Sequence, residues 1–283
     1  MKISGSYQAE QIVQLNINAS RFAIHNNKIF ALSNDGKLSI YDSLSGKYDK
    51  EVVIDLNEYE DYFNTNEEFC IYENNIFILS KNLDAIRILE YKFTESGVEY
   101  SYVASMKFDR IYSFDVIDKI LVVCAKVNQE HQAQVFDLEK IELIYQRFGH
   151  YSGCNLSFSK TGNIEIHLFN SKNYERIGNS YPYIAHLEHT RLNFDSNKKL
   201  ISVNENYQCE HNFIFRHGKD KVKRTYAPDG VIDKIKFKSC KLKIEIEAYA
   251  DVCFDTATRK TYLIAYDYNF EKQKTIPVLV KGE

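Results

Sequence analysis

NNKIFALSNDGKLSIYDSLSGK, running from Asn26 to Lys47, reads as strand, turn, strand, turn. Apolar residues alternate with polar ones in KIFALS and again in KLSIYD, and Asn34-Asp35-Gly36 between them is a hairpin signal. Weaker copies recur along the whole chain. The second strand of each copy opens on Ile29, Ile76, Ile120, Ile164, Leu200 and Leu242, at steps of 47, 44, 44, 36 and 42 residues. A period of about 40 to 45 residues carrying about four short strands marks the blades of a β-propeller, in which small sheets bury their faces against one another.

The first copy supplies SRFAIHN, KIFALSN, KLSIYDS and KEVVIDL, the second EEFCIYEN, NIFILSK, AIRILEYKF and EYSYVASMKF, and the third RIYSFDVID, KILVVCAKV, QAQVFDLE and KIELIYQRF. The fourth is plain through NIEIHLFN. The fifth is expected to take TRLNFDS, KKLISVNEN, HNFIFRHG and KVKRTYA, and the last VIDKIKF, KLKIEIEAYA, TYLIAYDYNF and KTIPVLV. The expected fold class is therefore all-β: a β-propeller of six blades, each of four antiparallel strands. DVCFDTATRK, before Tyr262, leaves room for a partial seventh. QIVQLNI, Gln11 to Ile17, is a strand without a blade and is expected to complete the last one, leaving no sheet edge open. No linker rich in Pro, Gly or Ser divides the chain, so residues 1–283 are expected to form a single domain.

Composition agrees with strands. The chain has 21 Tyr and 18 Phe, no Trp and three Pro, and aromatic residues favour half-buried pleated surfaces. A net charge of -3 argues against a generally basic nucleic-acid binder. No apolar run approaches the roughly 20 residues that span a bilayer, and MKISGSYQAEQ lacks the apolar centre of a signal peptide. The six cysteines are scattered without a CxxC pair, as buried free thiols in a reducing compartment would be. A cytoplasmic location is expected.

Ile40-Tyr41-Asp42-Ser43-Leu44-Ser45-Gly46-Lys47 resembles the end of a WD40 repeat, where the third strand closes on Trp-Asp ahead of a turn with Gly and Lys. Tyr41 stands in the Trp position. Val135-Phe136-Asp137-Leu138-Glu139 and Ala265-Tyr266-Asp267 are similar. The physical need is a large aromatic to fill the gap between blades and an Asp to accept hydrogen bonds in the following turn. The second, fourth and fifth copies lack the pair. The resemblance implies a degenerate WD40-like propeller, and propellers of that family are most often non-enzymatic scaffolds that bind other proteins.

Compact chemical motifs are few. The phosphate-loop, GxSxG, HExxH and EF-hand patterns do not occur, and no cofactor or metal is expected. His186 and His189 would fall on opposite faces of a strand, which is poor for a shared metal. Cys209-Glu210-His211 groups a thiol, a carboxylate and an imidazole, yet adjacent strand residues diverge. Glu245 and Glu247 share a face and alternate with Ile244 and Ile246, the pattern of a wetted strand.

Charge is more informative. Nine acidic residues against one Lys lie between Asp49 and Glu73, and ten basic against three acidic between Arg216 and Lys243. Glu58, Tyr59, Glu60, Asp61, Tyr62 and Phe63 mix carboxylates with aromatic contact area in a connection between blades, on a face propellers use for partners. They are the expected partner-binding residues, suited to a monomeric protein that meets a basic surface on another protein. Arg216, Lys219, Lys221, Lys223 and Arg224 form a candidate anion-binding strip. The expected function is a protein-binding scaffold or inhibitor. Its alternatives are an immunity protein against a basic toxin such as a nuclease, a propeller hydrolase or lyase with carboxylates at the central channel, and a nucleic-acid binder through 216–243.

Overall fold

The computed structural model describes residues 2–4, 12–14, 21–33, 37–42, 52–55, 69–80, 84–94, 97–151, 153–159, 161–176, 183–208, 212–217, 220–227, 230–237, 242–246, 251–255, 258, 260–269 and 274–281. Every regular element among them is a strand. The chain forms two compact units. A mid-chain unit takes Met1–Tyr7 and Asp109–Tyr249, and a terminal unit takes Gln8–Phe108 and Ala250–Glu283.

Strands β1 (Lys2–Ser4) and β2 (Ile12–Gln14) precede the sheets and join two of them. In the terminal unit, β3 (Arg21–His25), β4 (Lys28–Leu32), β5 (Lys37–Asp42) and β6 (Val52–Asp55) form one sheet. Strands β7 (Phe69–Tyr72), β8 (Asn75–Ser80), β9 (Ala85–Thr94) and β10 (Gly97–Lys107) form the next. The mid-chain unit holds three sheets. The first is β11 (Arg110–Ile117), β12 (Ile120–Val127), β13 (Glu130–Asp137) and β14 (Glu142–Phe148), and the second is β15 (Gly153–Phe158), β16 (Ile164–Arg176), β17 (Tyr183–Phe194) and β18 (Leu200–Gln208). The third is β19 (Asn212–His217), β20 (Asp220–Ala227), β21 (Gly230–Phe237) and β22 (Leu242–Ile246), to which β1 adds a fifth strand. Strands β23 (Asp251–Asp255), β24 (Lys260–Asn269) and β25 (Lys274–Lys281), with β2 outermost, return to the terminal unit.

Each sheet follows chain order as an up-and-down antiparallel meander, and neighbouring sheets pack through their first strands. The series is β23, β3, β7 in one unit and β11, β15, β19 in the other. This is the blade architecture of an all-β propeller. Burial follows it. Ile29, Phe30, Ala31 and Leu32 of β4 and Ile120 through Ala125 of β12 are buried without alternation, because a second strand is covered on both faces. The outermost strand β14 exposes Leu143 and Phe148. Tight hairpins form where the sequence tolerates left-handed backbone: Asn26 and Asn27 have φ of 47° and 59°, and Asn128 and Gln129 have 51° and 67°.

Neighbouring sheets are clasped by buried and partly buried polar groups. Asp255 accepts hydrogen bonds from the Asn26 and Asn27 amides at 2.9 and 2.8 Å, across 229 and 228 residues of chain. Tyr262 Oη donates to Asn27 Oδ1 at 3.1 Å. In the mid-chain unit the Leu156 amide donates to Asp115 Oδ2 at 2.7 Å, and Lys198 bridges Asp137 and Glu139. Asp137 also accepts the Glu139 amide at 3.0 Å, the turn-closing role that the aromatic-Asp resemblance implies.

The first three copies match the structure strand by strand, and β2 completes the last sheet through Ile12↔Val280 and Val13↔Leu279. Three expectations change. TRLNFDS and KKLISVNEN end and begin the third and fourth strands of the fourth sheet, so Leu200 and Leu242 open fourth strands rather than second ones. The cause is length: β16 and β17 have 13 and 12 residues, and they use up chain that the alignment assigned to the next copy. The room kept for a partial seventh blade is occupied by β23, the first strand of the last sheet. Finally, one sheet has five strands, because Lys2–Ser4 pairs with Lys243–Glu245. Asn34-Asp35-Gly36 lies outside the described residues.

Candidate functional site

At one end of the β11–β14 sheet, β11 and β13 begin while β12 and β14 end, so four side chains from three chain segments meet. Arg110 and Tyr112 come from β11. His131 follows the Asn128-Gln129 turn, whose Gln129 amide is tied to Asp109 Oδ2 at 2.9 Å. His150 follows Gly149, whose amide donates to the His131 carbonyl at 2.8 Å. Gly149 has φ of 146°, and a Cβ there would approach the Tyr151 hydroxyl to 3.0 Å, so only glycine fits the bend that returns His150.

The resulting cluster is compact. Tyr112 Oη lies 2.9 Å from His131 Nδ1, with the two rings stacked at 5.5 Å between centroids. The His131 and His150 rings are 4.6 Å apart, and His150 lies 5.4 Å from Tyr112. The Arg110 guanidinium sits over Tyr112 at 5.6 Å. Arg110 and His150 are exposed, while Tyr112 and His131 are half-buried. Partial burial lowers the His131 pKa, and His150, Lys126 and Arg110 lower it further. The group is therefore a partly exposed aromatic and imidazole surface with the cations Arg110 and Lys126 beside it. It can hold a carboxylate and stack against a planar group.

A second constellation looks catalytic and is not arranged for it. Ser157 Oγ lies 3.1 Å from His167 Nε2, and Glu165 Oε2 lies 3.8 Å from the same nitrogen. A nucleophilic triad places the serine and the carboxylate on different ring nitrogens and exposes the serine. Ser157 is fully buried. Glu165 also faces Arg191 at 3.9 Å, and the network bonds β15 to β16 and β17. Cys154 is equally inert: its hydrogen bond with Cys124 and its burial push the thiol pKa far up, away from the thiolate that would react. Among the described residues no group of three His, Cys, Asp or Glu could hold a metal ion.

Glu58, Tyr59, Glu60, Asp61, Tyr62 and Phe63 lie outside the described residues, in the chain between β6 and β7. Lys219, Glu247 and Cys209-Glu210-His211 lie outside them as well, and His186 and His189 both fall in β17. The anion-binding strip divides. Register puts Arg216 opposite Lys221 and Lys223 opposite Ile214 on one face, and Arg224 on the other face opposite Phe213 and Asp233. The Arg110, Tyr112, His131 and His150 cluster was not anticipated. Its one local signal is Gly149, the residue whose backbone freedom allows the bend that returns His150.

No family model matches the chain, and no curated protein matches it. Solved structures do. The chain is similar to the RRP9 WD40 repeats at 10% identity, with 99% of this chain and 100% of that one covered and a TM-score of 0.47. It is similar to U3-55K at 9% identity, covering 97% and 99%, also with a TM-score of 0.47. It is similar to BamB from Moraxella catarrhalis at 11% identity, covering 92% of this chain and 68% of that one with a TM-score of 0.38.

Proposed function

We propose that this chain is a non-enzymatic scaffold, a six-bladed WD40-like propeller of the cytoplasm that binds a partner protein at Arg110, Tyr112, His131 and His150. The observation that carries the reading is the solvent-facing contact of two histidines, a tyrosine and an arginine on a rigid sheet end. Tyr and Arg are the residue types that concentrate interface energy, and the local charge selects an acidic segment of the partner. The reduced thiols of Cys124 and Cys154 fit a reducing compartment.

Comparative capture from host extract tests it. Wild type is expected to retain a defined partner that the Y112A/H150A variant loses by about 30-fold, the scale of two interface anchors. Retention is expected to strengthen from pH 7.5 to pH 6. The isolated His131 has a lowered pKa and is neutral at the upper end, and a bound carboxylate favours its charged form, so binding takes up a proton. Identical retention by wild type and variant at both pH values overturns the reading.

The finer proposal, an inhibitor that covers a basic partner, rests on Glu58, Tyr59, Glu60, Asp61, Tyr62 and Phe63 alone. Replacing Glu58, Glu60 and Asp61 by Lys is expected to abolish capture of such a partner. Unchanged capture removes the loop from the interface.

A further inference from the structure

We propose that the five-stranded sheet of the mid-chain unit carries a binding face for a linear phosphate chain of the inorganic polyphosphate type. The observation is cross-strand register. Arg216 pairs with Lys221, Lys221 with Lys236, and Lys236 with Lys243, so β19, β20, β21 and β22 each place a cation at the same level. The next level on that face runs Ile214, Lys223, Lys234, Glu245 and Lys2. Seven basic residues thus share two adjacent levels with one acid, Glu245. The level between them on the opposite face reads Phe215, Val222, Ile235, Ile244 and Ile3, with Ile244 buried, so at this level the two faces differ, one apolar and one basic.

Like charges directly opposite each other destabilise a sheet, and a merely wetted face could alternate Lys with Thr or Glu. Four cations in consecutive cross-strand positions instead suit a ligand that carries closely spaced negative charge. Lys236 and Lys243 are exposed, and Lys221 and Lys223 are partly exposed, so the face is open where the outer strands lie. Strands lie about 4.8 Å apart, so the row spans roughly 14 Å. The two levels contain no aromatic on which a base could stack, and no Asn or Gln for base edges. A phosphoanhydride chain, with no sugar between its phosphates, matches closely set cations better than a nucleic-acid backbone does. The net charge of -3 does not oppose this, because screening confines each charge to about 10 Å at 0.1 M salt.

The test uses the full chain, inorganic polyphosphate and an oligo-dT of equal charge, with binding followed between 50 and 200 mM salt. With about four phosphate contacts, polyphosphate affinity is expected to fall roughly 50-fold over that range. The K236E/K243E variant, whose two positions are exposed, is expected to bind at least 10-fold more weakly at 50 mM salt with a shallower salt dependence. The K236Q/K243Q variant is expected to show the same trend to a smaller extent, with a melting temperature at or above that of wild type because repulsion is relieved. Oligo-dT is expected to bind at least 10-fold more weakly than polyphosphate. Absence of polyphosphate binding by wild type, wild-type affinity in both variants, or oligo-dT affinity equal to that for polyphosphate overturns the proposal. Partner capture through Tyr112 and His150 is independent of all three outcomes.

Discussion

Replacing Asp255 by Ala is expected to lower stability by about 3–5 kcal/mol, and the melting temperature by about 10 °C. Asp255 is fully buried and accepts three backbone donors: the Asn26 and Asn27 amides and, at 3.3 Å, the Thr258 amide. Hydrogen bonds to a charged group contribute about 1.5–3 kcal/mol each, and the truncation removes the acceptor that three backbone donors share. The loss also frees the left-handed Asn26-Asn27 turn, which is held in place from the far end of the chain. Asp255→Asn keeps the shape and one acceptor and is expected to lose about half as much.

The pH dependence has a definite sign. Burial raises the Asp255 pKa, but the amides of Asn27, Asn26 and Thr258 outweigh it and hold the carboxyl below its ordinary value. A depressed carboxyl pKa contributes stability that is complete above the unfolded value, about 3.9, and is lost as pH falls through the folded one. The gap between wild type and Asp255→Ala is therefore expected to be constant from pH 8 to pH 5 and to narrow below about pH 4. Thermal unfolding followed by circular dichroism at pH 7, 5 and 3 measures it. A loss below 1 kcal/mol (about 2–4 °C) at pH 7 would show that the clasp is not needed.

Phe30→Ala is expected to cost about 3–5 kcal/mol, against roughly 1 kcal/mol for Phe30→Leu. Phe30 is fully buried in β4, within a cluster that unites two sheets: Leu32, Leu38 and Ile40 on one side, Phe69, Ile76, Ile78, Leu89 and Tyr91 on the other. Its ring meets the edge of Tyr91 at 5.5 Å and 64°. Tyr91 cannot swing in to fill the vacancy, because its hydroxyl donates to the Glu73 carbonyl at 3.0 Å. A cavity that neighbours cannot fill keeps both the transfer cost and the lost packing. Urea unfolding is expected to shift its midpoint while the slope stays constant. Truncating Ile201, which is 54% exposed on an outermost strand, is expected to change stability by less than about 0.5 kcal/mol, and a comparable loss there would contradict the blade packing.

Legibility varied along the chain for physical reasons. In the first three copies no strand exceeds 11 residues, so the period-two pattern ends within each assigned segment and each strand is readable. After Ile164 the strands lengthen, and β16 and β17 both pass through irregular register, between Ser171 and Tyr174 and between His189 and Arg191. The added length of β16 and β17 uses up chain that the alignment gave to the next copy, so the alignment slipped from second strands to fourth strands. Lys2–Ser4 was unreadable for another reason: three residues are too few to display a period.

The site was less legible than the fold. Tyr112, His131 and His150 are separated by 19 residues at each step, and none of the three is unusual in its local setting. They meet because two turns, one left-handed at Asn128-Gln129 and one bent at Gly149, bring the starts and ends of four strands to the same place. The anion strip was half legible. Alternation in KIKFK shows that lysines share a face within β21, but which strands lie beside it, and which residues face Lys236, depends on hairpin lengths.

By itself the sequence determined the all-β class, the strands of the first three sheets and the use of an N-terminal strand to complete the last one, because these depend on which residues alternate over a few positions and on how often the alternation recurs. Only the tertiary structure decided that Asp255 closes a turn 228 residues away, that two histidines pack beside Tyr112, and that four cations align across four strands. Those depend on register and on how sheets pack, which are set by the sum of many turn geometries and not by any local run of residues.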